Sequence, residues 1–152
     1  MRRGHSVQNH SHVHSHRFSL LGPGGLAREI QAAQAVLSDV TGEVPGFFRA
    51  PAGLRNPVLA PVLHRMGLAL ASWTRRGFDT RERDPQRVLQ RLTRGLSAGD
   101  ILLLHDGNCA RDAHGRPVIL TVLPALLAEL RGQGLVPDTL TQSLSAARSI
   151  PS

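Results

Sequence analysis

His10-Ser11-His12-Val13-His14-Ser15-His16, led in by Gly4-His5-Ser6-Val7-Gln8-Asn9, is the stretch on which the reading of the fold turns. His10 and His14 stand four apart, with a hydroxyl residue directly after the first. Residues at that spacing share a face when the backbone turns helically, and two imidazoles on one face can reach one cation at about 2.0–2.1 Å each. In an extended chain the same steps would span roughly 13 Å at a strand rise of about 3.3 Å, too far for a single ion to hold both rings. A site here therefore requires a strand that ends near Asn9 and a helical turn after it. Histidines at 10, 12, 14 and 16 are also what a compositionally biased, loosely metal-binding tract or an appended tag would contain.

A chain of 152 residues suits one domain, expected over residues 1–141, with a flexible Ser-rich tail over 142–152. The single cysteine, Cys109, excludes an intramolecular disulfide and is more readily a bystander than a nucleophile. No run is apolar enough to span a bilayer, and Met1-Arg2-Arg3 is followed by histidines where a signal peptide would have its apolar core. As written, the sequence reads as cytoplasmic.

All 18 basic residues are arginine, against 11 acids, which gives a formal charge of +7. Arg87, Arg91 and Arg94 would share one helix face, and such a stripe could bind an anionic polymer. One tryptophan, four phenylalanines and no tyrosine leave few platforms for stacking bases. A solvated helix face is favoured, and no nucleic-acid partner is expected.

Further along, Leu26, Ile30, Ala33 and Leu37 predict an amphipathic helix over about residues 25–39. Phe47-Phe48 reads as a short strand ending at Arg49. Asn56 and Pro57 read as the cap and first residue of a helix carrying Val58, Val62 and Met66. Leu68 to Ala71 is a strand, and Ser72 to Asp79 a loop. Asp84-Pro85 opens a helix with Val88, Leu92 and Leu96 inward, and Ile101 to Leu104 is the clearest buried strand. A helix over residues 117–131 follows, then a last strand from Leu135 to Leu140. Strand and helix alternate about four times, which implies an α/β protein with a parallel sheet. His10, Arg49, the loop from Trp73 to Asp79, and His105 each follow a predicted strand, and in an α/β barrel such positions share one rim.

These residues resemble those of the NodB-type polysaccharide deacetylases, a family of metal-dependent carbohydrate esterases. Asn9-His10-Ser11-His12-Val13-His14 is similar to the family's His-Ser/Thr-x-x-His metal motif, and Arg49-Ala50-Pro51-Ala52-Gly53 to its Arg-x-Pro-x-Gly motif. Leu103-Leu104-His105 resembles its closing motif, and Trp73 to Asp79 stands in the place of its fourth motif. The likeness runs from residue 4 to about residue 140.

The resemblance implies a partial (β/α) barrel lacking its N-terminal strand or strands, and a divalent cation, zinc first, on His10 and His14. It implies that an N-acetylated (or O-acetylated) carbohydrate is attacked by water activated at the cation. His105 would be the general acid, Leu103 would line the acetyl pocket, and the loop of Ala52 and Gly53 would offer a backbone N–H to the oxyanion. Arg49 belongs to the catalytic set, Trp73 to the substrate wall, and Arg76 and Asp79 would orient the base and His105 respectively. Family members often act at the cell envelope. Two departures stand out: no Asp-Asp pair occurs in the sequence, although the family's first motif supplies base and third ligand as Thr-Phe-Asp-Asp, and Ala52 replaces a usual tyrosine. Weak or absent activity of this chain is therefore expected, with a non-catalytic metal- or glycan-binding protein as the alternative and a basic nucleic-acid-binding module as a less favoured one.

Overall fold

Asn9 runs parallel to the first strand, β1 (Phe47–Phe48): its N–H donates to the Phe47 carbonyl at 3.0 Å and its carbonyl accepts from Arg49 N at 2.9 Å. The strand end expected at this residue is thus a single parallel bridge. The structure, a computed structural model, describes residues 4–143. These fall into two units, one of residues 4–72 with 139–143, the other of residues 73–138.

In the first unit α1 (Pro23–Thr41) starts on a proline, whose missing N–H costs nothing there, and stops at Gly42 in the left-handed conformation, φ 73°. Its buried residues, Leu26, Ile30 and Ala33, recur at the spacing that predicted the helix. Leu26 and Ile30 join Phe18, Phe48, Leu59, Val62, Leu63 and Leu68 in one core, with the Phe18 and Phe48 rings stacked at 5.5 Å. β1 pairs in parallel with β2 (Ala69–Leu70), Phe47 opposite Ala69. Between them α2 (Leu59–Arg65) begins later than predicted, because Asn56 does not cap it. The Asn56 amide instead donates to the carbonyls of Ser19 and Leu21, at 2.9 and 3.1 Å.

In the second unit the stretch expected to be a loop contains a strand, β3 (Arg75–Arg76), paired in parallel with β4 (Leu102–Leu103). Hydropathy does not reveal it, because its ties are polar and distant in sequence. Thr74 Oγ1 donates to Asp100 Oδ1 at 2.7 Å, Arg75 Nε to Asp100 Oδ2 at 2.5 Å, and Thr74 N to Ile101 O at 2.9 Å. The Arg75 guanidinium, with Thr74 and the Ser97 N–H, holds the Asp100 carboxyl far below the usual carboxylate range.

Asp84 caps α3 (Pro85–Thr93) by accepting from Gln86 N at 2.9 Å. The inner residues of α3, Val88 and Leu92, pack with Val122, Leu126 and Leu130 of α4 (Ile119–Gly132). Gly77, after β3, lets α3 approach the backbone: a Cβ there would lie 2.6 Å from Val88 Cγ1. The face predicted as an arginine stripe is partly neutralised locally, Arg87 by Asp84 at 3.6 Å and Arg91 by Glu82 at 3.0 Å.

The strand expected from Leu135 to Leu140 is not one. Gly134 turns left-handed (φ 69°), Leu135 N closes onto Leu130 O at 2.9 Å, and Leu135 is thereby drawn into the end of α4. Pro137 offers no N–H to a ladder, and Thr139 Oγ1 accepts from Gln142 N where the chain turns helical at Leu140. Of the tail expected over 142–152, residues 144–152 lie outside the described residues. Among the described residues no helix is long and apolar enough to cross a membrane.

Candidate functional site

The histidine turn is built by short polar side chains rather than by a helix. Asn9 Oδ1 accepts from Ser11 N at 3.0 Å, Ser11 Oγ from His14 N at 3.1 Å, and Glu29 Oε2 from Val13 N at 3.2 Å. Such bonds draw a backbone away from helical geometry, and Ser11 and His14 both take left-handed φ, 68° and 50°. The helical turn expected over residues 10–14 is therefore absent, yet the two rings still meet. His10 Nδ1–H donates to the Arg49 carbonyl at 2.7 Å, which leaves the lone pair on Nε2. That atom lies 3.1 Å from His14 Nε2, with the rings edge to face, their centroids 4.7 Å apart.

Two imidazole nitrogens each about 2.0–2.1 Å from a common cation stand roughly 3 to 3.3 Å apart for angles between square and tetrahedral. The separation of 3.1 Å fits. An Nδ1–H held by a backbone carbonyl is the usual outer contact of a metal-binding histidine, and neutral imidazole suits zinc and its neighbours. Among the described residues no group of three or more His, Cys, Asp or Glu could hold an ion. The pair fits a divalent cation as two of its donors.

Arg49 to Gly53 follows β1. Arg49 is half-buried, and burial pulls its guanidinium below its ordinary value. Its backbone serves the histidines, donating to Asn9 and accepting from His10. Ala50 and Pro51 are buried, whereas Ala52 is exposed at φ 53° and Gly53 follows at φ 72°. Gly53 N donates back to Ala50 O at 2.9 Å, closing a tight turn with Ala52 at its tip.

The second unit holds the other constellation. Asp79 is 1% exposed; its Oδ2 accepts the His105 backbone N–H at 2.7 Å and its Oδ1 accepts His105 Nδ1–H at 3.0 Å. One carboxylate thus fixes both the main chain and the ring of His105. Leu103, on β4 two residues before His105, is buried. Arg76 lies over the Phe78 ring at 4.4 Å and the half-buried Trp73 ring at 5.6 Å, its buried Nε without a hydrogen-bond partner among the described residues. A cleft of about 340 Å³ is lined by Phe78, Arg81, Glu82 and Arg91, none of them predicted as site residues.

Sequence reasoning also missed the support behind the histidine turn. Asn9 is 1% exposed and donates to Ile30 O and Gln34 Oε1 of α1, at 2.9 and 2.8 Å. The available signal was a polar residue at the end of a strand, immediately before a histidine.

The polysaccharide deacetylase family profile matches residues 1–71. The protein named "Putative polysaccharide deacetylase YheN" of Bacillus subtilis (strain 168) is 26% identical over 143 residues, 88% of this chain and 48% of its own length. The chitooligosaccharide deacetylase of Azorhizobium caulinodans is 28% identical over 144 residues, 86% of this chain and 65% of that protein. Among solved structures, a family 4 carbohydrate esterase from Streptomyces lividans, in complex with acetate, superposes with a TM-score of 0.77 at 28% identity. That alignment covers 88% of this chain and 65% of the esterase. The chain thus spans between about half and two thirds of the length of these relatives.

Parallel α/β architecture and these likenesses show that the chain shares the fold of the family 4 carbohydrate esterases. The match to the polysaccharide deacetylase profile is confined to residues 1–71, and with the relatives above it makes the chain similar to the NodB-type polysaccharide deacetylases.

Proposed function

We propose that this chain is part of a polysaccharide deacetylase that removes N-acetyl, or O-acetyl, groups from a carbohydrate. The observation that carries the reading is the 3.1 Å separation of two imidazole nitrogens, one of them oriented by a backbone carbonyl. His10 and His14 hold a divalent cation, zinc in the first instance, and what that ion supplies when bound is Lewis acidity toward an acetyl carbonyl and toward water. Arg49 keeps His10 in the required tautomer through its carbonyl. His105 gives its Nε2 proton to the leaving amine, and Asp79, bonded to Nδ1–H, stabilises the charged ring that precedes the transfer. The exposed tip at Ala52 offers a backbone N–H to developing oxyanion charge, and Leu103 gives the acetyl methyl an apolar wall. Arg76 and Trp73 flank the acid's loop, Arg76 as the orienting cation for the base.

Acetate release from an N-acetylglucosamine oligomer tests the reading. The 152 residues contain no Asp-Asp pair, so release close to a zinc-only control is expected, with zinc bound by the histidine pair. Release well above that control, removed by His105→Ala, would show that two histidines and the acid suffice. Failure to bind either zinc or the oligomer would overturn the deacetylase reading. A second reading, a non-catalytic metal- or glycan-binding protein, is favoured by Ala52 standing where the family has tyrosine; it predicts oligomer binding with no acetate released in any variant.

A further inference from the structure

We infer that Asn9, gripped by Gln34 of α1, is a positioning residue that fixes the turn bringing His10 Nε2 and His14 Nε2 together. The inference rests on the metal reading of that pair. Asn9 is bonded at five points. Its backbone N–H and carbonyl lock it beside β1, both amide hydrogens go to α1, at Ile30 O (2.9 Å) and Gln34 Oε1 (2.8 Å), and its Oδ1 takes Ser11 N–H at 3.0 Å. Gln34 is itself anchored, its Nε2 donating to Pro45 O at 2.6 Å just ahead of β1. A buried amide costs folding free energy unless its hydrogen bonds are made, and an apolar residue of similar size would fill the same space between strand and helix. Only a side chain with a fixed acceptor can also hold the Ser11 N–H. Ser11 is left-handed, and its hydroxyl in turn holds His14 N at 3.1 Å. The line from Pro45 through Gln34 and Asn9 to Ser11 therefore transmits the placement of α1 to the ring of His14.

Zinc affinity of the full chain, measured by competition with a chromophoric chelator, is the test, read beside the melting temperature of the metal-free protein. Outer contacts of metal ligands typically change affinity about 10- to 100-fold when lost. Gln34→Met, which keeps length but removes the acceptor for Asn9, and Asn9→Asp, which removes the donors, are each expected to weaken zinc binding within that range. Gln34→Glu keeps the acceptor for Asn9 but loses the donor to Pro45 O, and is expected to weaken zinc binding less than Gln34→Met does. A purely structural Asn9 would lower the melting temperature and leave zinc affinity unchanged in both weakening variants, which overturns the inference. If Asn9→Asp does not fold, Gln34→Met at its half-buried helix position decides alone. Equal zinc binding by the wild type and the His10→Ala, His14→Ala double variant would instead overturn the metal reading beneath, and the inference with it.

Discussion

The two histidine sites of this protein are assembled in opposite ways. At His10 and His14 an imidazole faces an imidazole, both on an exposed or half-exposed turn shaped by Asn9, Ser11 and Glu29. At His105 the ring faces a carboxylate that is almost wholly buried and also holds the main chain. Two imidazole nitrogens at 3.1 Å can share a proton or a cation, whereas a ring against a carboxylate is equipped to carry charge. One arrangement is completed from outside and the other from within. The first should therefore matter for binding and little for folding, and the second for both.

Four measurements press on that contrast. The largest effect is expected from zinc: at a concentration a hundred times its dissociation constant it should stabilise the fold by about 2.7 kcal/mol, seen as a raised melting temperature. His10→Ala together with His14→Ala should erase the rise, and an unchanged rise in the double variant would remove the cation from the comparison. Next, Asp79→Ala leaves the His105 N–H groups without their acceptor and should cost about 1–3 kcal/mol in urea unfolding. A smaller loss would mean that His105 is not held from within. Third comes acid. The folded pKa of Asp100 lies below its ordinary value of 3.8, so its contribution is complete above that range and is lost as pH falls beneath it. The melting temperature of Asp100→Asn should accordingly fall less steeply than the wild type's between about pH 4 and 2. Smallest of all, His14→Ala without metal should change stability by no more than about 0.5 kcal/mol. A larger cost would assign the exposed ring a folding role and dissolve the contrast.

The helices were legible because their apolar residues recur on one face: Leu26, Ile30 and Ala33, then Val88 and Leu92, then Val122, Leu126 and Leu130. Less legible was what polar contacts decide over long separations. β3 is fixed by Asp100, some 25 residues away, and reads as a loop because arginine and threonine carry no apolar signal. Leu135 to Leu140 has strand-like composition, but the left-handed Gly134 folds Leu135 back onto α4 first. At His10 and His14 the spacing suggested rings that meet, which they do without the helical turn expected, since Asn9 and Ser11 bend the chain by hydrogen bonds that helical periodicity does not encode. Asp79 and His105, 26 residues apart, were joined by the family's pattern alone.

Gly77 sets a hard spatial limit on the acid's surroundings. With 2.6 Å between a hypothetical Cβ and Val88, α3 rests directly on main chain at the residue between Arg76 and Phe78. A single methyl group at that point would lever the helix away and shift the segment that delivers Asp79. In a saturation library screened for soluble protein, position 77 should come back as glycine.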